Sequence, residues 1–153
     1  MAYSAAVNPV VESWPGNSSP PATTETIVSA TWKKGQLAYT NSGAVTAVST
    51  AVTGAGAYQF MEDEDVATTS GLVRRLTSGT RLLMRVRASA VDSAETVATL
   101  GTSYGVITAS NVTYLDTDTG SGYFKVVAKG SSLEPIGMTA AMTPGVVLVE
   151  YTG

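Results

Sequence analysis

The sequence predicts an all-β fold: a small β-barrel or β-sandwich of short antiparallel strands with an extended N-terminal arm. Three observations predict it. From Ala30 onward, short runs rich in apolar and β-branched residues follow one another, separated by Gly, Ser, Asn and Asp turns. One stretch alone, DSAETVATLG at 92–101, has a pattern that suits a helix. The first thirty residues hold Pro9, Pro15, Pro20 and Pro21 and no basic residue, and they are too poor in apolar side chains to fill a core by themselves. The expected division is an arm over residues 1–30 and a single β domain over 31–153.

The elements follow in order. WPGNSSPPATTET in the arm cannot be helical, because proline lacks the backbone donor and constrains the residue before it. A purely solvated tail has little use for Val7, Val10, Val11, Trp14 and Ile27. These residues are therefore expected to contact a neighbouring subunit, with the arm ordering on assembly. GQLAYT alternates and puts Leu37 and Tyr39 on one face; with Trp32 they are expected to anchor the first hairpin in the core. NSG at 41–43 is a turn, AVTAVSTAV returns, and GAGAYQF brings Tyr58 and Phe60 to one side. GLVRRL, the turn TSGT and RLLMRVRA form a hairpin. In its second strand Leu82, Met84 and Val86 face one way, and Arg81, Leu83, Arg85 and Arg87 the other. Asp92 or Ser93 would cap the helix at 92–101, with Glu95 in its first turn. GVITASNVTYLD, the turn TDTGSG and YFKVVAKG give two more strands, and GVVLVEYT closes the chain. No fixed-period repeat is visible.

Composition then narrows the function. A chain of 153 residues without cysteine forms no disulfide and no thiolate metal site. The absence of histidine removes the commonest proton-transfer group near neutral pH. A formal net charge of −3 argues against general nucleic-acid binding. No apolar run is long enough to span a membrane, and Met1–Ser4 lacks the pattern of a secretion signal, so a reducing cytosol is expected. Asp116, Asp118 and Gly120 stand in the order of half a calcium loop, but the distal glutamate is missing, so a hairpin turn is expected and no metal. Glu62, Asp63, Glu64 and Asp65 form an acidic run: a solvated loop, a cation site, or one half of a charge-complementary contact. Arg81, Arg85 and Arg87 form a one-sided stripe that suits a protein partner or cross-strand acidic partners better than nucleic acid. No Ser-x-x-Lys and no phosphate-cradling glycine loop occurs, so no catalytic residue, no cofactor and no enzymatic activity is expected.

One resemblance adds to this. WKKGQLAYTNSGAVTAVSTAVTGAGAYQFMEDEDVA, residues 32–67, resembles the head-decoration (cement) proteins of tailed bacteriophages. There a KGDLVY–turn–G-V hairpin follows a flexible arm and leads through a strand into an acidic loop. The corresponding residues are Lys34 to Tyr39, the turn Asn41-Ser42-Gly43 and the run Glu62 to Asp65. YGVITASNVTYLDTDTGSGYFKVV at 104–127 is similar to the second half of that fold. The resemblance implies a virion protein, made in the host cytoplasm, that binds the outside of the expanded capsid and clamps neighbouring subunits. The implied partners are the major capsid protein and copies of itself, with no nucleic acid and no membrane. A trimer is favoured over a dimer, the arginine stripe of one copy meeting Glu62–Asp65 of the next. The alternative is a carbohydrate- or receptor-binding β module of a phage tail or fibre, which would need an exposed aromatic platform.

Overall fold

The computed structural model describes residues 8–41, 43–47, 57–129 and 145–153. Twelve strands are assigned among them: β1 (Val10–Ser13), β2 (Ala22–Trp32), β3 (Leu37–Asn41), β4 (Ala44–Ala47), β5 (Ala57–Phe60), β6 (Glu64–Arg75), β7 (Arg81–Ala88), β8 (Val91–Asp92), β9 (Ser103–Ala109), β10 (Val112–Asp116), β11 (Phe124–Ala128) and β12 (Val146–Tyr151). The all-β expectation holds, and the architecture is barrel rather than sandwich.

Five strands close a first barrel in the order β2-β4-β3-β5-β6. Alternate side chains along each strand point inward, and in a barrel this narrow they fill the interior. Ile27, Trp32, Ala38, Val45, Phe60 and Val73 form that core. Trp32 stacks on Phe60 with ring centroids 4.3 Å apart. Gly71 on β6 makes room for the stack, since a Cβ there would lie 2.7 Å from Trp32 Cζ2.

A second ring runs β7-β10-β9-β11-β12 and returns to β7. Leu82, Met84, Val86, Val106, Leu115, Val126 and Val149 are among its buried residues, with Phe124 and Tyr151 in ring contact at 5.3 Å. The inward set Leu82, Met84 and Val86 is the one the alternation predicts.

The two barrels share one topology. In each, the first strand runs parallel to the third, and the pairs third–second, second–fourth, fourth–fifth and fifth–first are antiparallel. The registers match as well. Ile27 opposite Val45 takes the place of Val86 opposite Leu115. Ala38 opposite Tyr58 takes that of Tyr104 opposite Phe124, and Tyr58 opposite Arg75 that of Phe124 opposite Tyr151. This is a repeat the sequence conceals. Backbone pairing requires only that a position be apolar and of β habit, so Phe60 and Val126, or Val45 and Leu115, serve equally. Unequal connections hide the period further: among the described residues, β8 and a short 3₁₀ turn are inserted between the first and second strands of the second unit, whereas Lys33–Gln36 alone join those of the first.

The barrels pack directly on each other. Leu37, Ala57 and Leu76 leave the first barrel and join the core of the second, with Tyr39 packed alongside. Leu37 N donates to Thr113 Oγ1 at 3.0 Å, and Ala57 N to Tyr151 Oη at 3.1 Å. The same β3 therefore serves two cores, Leu37 and Tyr39 on one face and Ala38 on the other. Asn8 joins the units too, its Nδ2 donating to Asn111 O at 2.9 Å and to Lys34 O at 3.4 Å and its Oδ1 accepting from Thr113 N at 2.8 Å.

Three expectations change. The division expected at residue 30 runs through β2, which pairs with β6 from Ala22 to Trp32. Its polar, threonine-rich alternation after Pro20-Pro21 masks it as linker. Strands are not all antiparallel, since each barrel closes through a parallel pair. The helix at 92–101 is only a 3₁₀ turn, Glu95–Val97. Its two candidate caps are engaged elsewhere: Asp92 lies in β8 with its carboxylate on Arg87, and Ser93 Oγ donates to Val91 O.

Candidate interaction surfaces

The acidic run folds against its own chain. Asp63 Oδ1 accepts from Lys34 N at 2.7 Å, and Asp65 Oδ1 takes Lys33 Nζ at 2.6 Å. Glu64 Oε1 accepts from Val66 N at 3.2 Å. The hydrogen bond and charge of Asp65 hold the Lys33 ammonium above its ordinary pKa. The run thereby fixes the turn before β3, while Glu62, Asp63 and Asp65 stay exposed. Glu62, Asp63 and Glu64 share a cleft of about 220 Å³ with Thr24, Trp32 and Ser70–Leu72.

The arginine stripe is not a continuous exposed surface: Arg81 is exposed, Arg87 half-buried. Arg85 is only 1% exposed. Arg81 lies opposite Glu150 across the β7–β12 pair and bonds it at 3.2 Å. Arg87 lies opposite Asp92 and bonds it at 2.9 Å, with its guanidinium 4.8 Å above the Tyr114 ring. Of the two expected uses, cross-strand pairing is the one present. Alternation along β7 is legible, but β12, which supplies Glu150, is distant in sequence, and β8, which supplies Asp92, is a two-residue strand just after β7 that carries no alternation of its own. Burial raises the Tyr114 hydroxyl above its ordinary pKa, Asp92 adding to the effect and Arg87 opposing it.

The proposed arm contacts separate. Ile27 is a core residue at 1% exposure, so it belongs to this chain's own barrel and is no subunit contact. Val11 and Trp14 pack against the second core, and Arg74 lies 5.8 Å from the Trp14 ring centroid. Val10 is exposed on β1, opposite Leu83. Val7 lies outside the described residues.

Asp116 and Asp118 act as turn-formers. Asp116 Oδ1 accepts from Asp118 N at 3.1 Å and Oδ2 from Thr119 Oγ1 at 2.9 Å, while Asp118 accepts from Ser89 N. One feature escaped the sequence reading: the outer edge of β2. Its pairing with β4 is registered at Ile27 alone, so among the described residues Ala22–Thr26 have no strand on that side. The β-branched Thr23, Thr24 and Thr26 are the available signal, obscured by the neighbouring prolines.

Comparison with known proteins returns no matching family model, no matching curated protein and no matching solved structure.

Proposed function

We propose that this chain is a structural virion protein that binds the outer surface of an expanded phage capsid and clamps neighbouring capsid subunits. The observation that carries the reading is the likeness of residues 32–67 to head-decoration proteins. Its Lys34–Tyr39 stretch comprises the turn at Gly35, with φ of 88°, and the start of β3. The disposition of charge is in keeping with a mechanical role. Lys33, Arg81, Arg87 and Lys129 are engaged in intrachain ion pairs, and Val28, Val66 and Val91 are among the exposed apolar residues. The major capsid protein is the proposed partner, and a trimer the proposed oligomer. The trimer stands on the likeness alone, because Arg85 is buried and Arg81 and Arg87 are paired within the chain.

Co-sedimentation with expanded, undecorated capsids tests the proposal, with unexpanded shells and a glycan array run on the same sample. Saturable binding to expanded shells, with no glycan signal, is the expected result. Glycan binding without capsid binding would replace it with the carbohydrate-binding alternative. Cross-linking on decorated shells reads the oligomer, and a clean dimer would rule out the trimer.

A further inference from the structure

The duplicated topology exposes a difference between the barrels. In the second, the edge of β7 turned away from β12 carries two neighbours: β1 opposite Arg81–Leu83, and β10 opposite Val86 and Arg87. Matched through the two parallel pairs, Arg81–Leu83 correspond to Ala22–Thr24 of β2. In the first barrel this position is open among the described residues, and Thr23, Thr24 and Thr26 are exposed. A row of unpaired backbone donors and acceptors is a template for another strand. The sister barrel shows that this edge geometry accepts one.

We infer that the Ala22–Thr26 edge of β2 receives an extended, basic polypeptide segment from another protein as an added strand. The charge follows from the surroundings. Thr24 lines the same cleft as Glu62, Asp63 and Glu64, and Glu25 lies within the edge itself. That cleft opens on the β6 side of Thr24, so these carboxylates act across β2 on a strand laid along its open edge, through a field that low salt leaves largely unscreened. Main-chain pairing supplies register and affinity, and the carboxylates select lysine or arginine over acidic segments. The inference does not rest on the capsid reading, because it concerns strand addition by any basic extended chain.

The test uses the full chain and a short synthetic peptide of alternating lysine and valine, compared with one of alternating glutamate and valine. Amide hydrogen exchange is followed by NMR. The lysine peptide should slow exchange on the open side of Ala22–Thr26 by about tenfold or more, and the effect should vanish near 0.5 M salt. Glu62→Gln combined with Glu64→Gln should weaken it without altering the fold. Thr24→Pro is a second variant, read only if its spectrum remains dispersed, and should abolish it. Equal protection by both peptides, protection centred on another strand, or none at millimolar peptide would overturn the inference. So would concentration-dependent protection without peptide, which would make a second copy the occupant.

Discussion

Replacing Ile27 with alanine distinguishes a barrel strand from a mobile arm. In the barrel, Ile27 sits among Trp32, Ala38, Val45, Phe60 and Val73 and forms the registered pair with Val45. The substitution removes three buried carbons, about 2.4 kcal/mol at roughly 0.8 kcal/mol each. The unfilled space adds to this, giving about 3–4 kcal/mol, within the usual range for such changes. For a chain of this length that corresponds to a fall in Tm of roughly 6–16 °C. Urea unfolding followed by tryptophan fluorescence in a Trp14→Phe background is the assay, because Trp32 stacks on Phe60 in the same cluster. The midpoint should fall with the denaturant slope unchanged. A loss below about 0.5 kcal/mol would refute the placement of β2 and return residue 27 to an arm.

Three further outcomes are expected. Gly71→Ala places a methyl against the Trp32 ring and should cost about 1–3 kcal/mol with a change in near-ultraviolet circular dichroism; an unchanged spectrum would show that the stack is loose. Arg85→Glu buries a reversed charge and should destabilise the isolated chain by about 3 kcal/mol or more, whereas Arg85→Met should cost less; a reversal that affected assembly alone would restore the exposed stripe. Tyr114 holds its proton more tightly folded than unfolded, so its contribution is full below the ordinary tyrosine pKa and is lost as pH rises through the folded value. Stability should therefore fall more steeply above about pH 10 in the parent than in Tyr114→Phe. Tyr104, whose pKa is lowered by hydrogen bonds from Thr99 despite burial, acts in the opposite direction in both proteins and cancels in the comparison.

Strand after strand was legible because apolar and β-branched residues alternate with a period of two, as in Leu82, Met84 and Val86. What alternation cannot show is which strand, near or distant in sequence, lies alongside. Hence Arg81, Arg85 and Arg87 read as an open stripe until β8 and β12 brought Asp92 and Glu150 opposite two of them. β2 is masked for a related reason. Its threonines are as fit for a strand as valine, but they carry no hydrophobic signal, and the adjoining prolines suggested a linker. The acidic run was legible as a cluster, but its bonds to Lys33 and to the Lys34 amide depend on a turn that only the folded barrel defines.

Each barrel is sealed by one short parallel seam, registered at Ile27–Val45 in the first and at Val86 and Arg87 in the second. Antiparallel neighbours joined by tight turns, such as β3–β4 and β9–β10, close small loops and form early. The seam cannot form until its third strand has been positioned by the second, so closure of the cylinder falls late in folding. The residues that make it, Ile27, Val45, Val86 and Leu115, are also buried in the two cores. Unzipping a seam therefore floods a core with water. This ties the rarest hydrogen bonds of the fold to its largest free-energy term and leaves little room for partial opening.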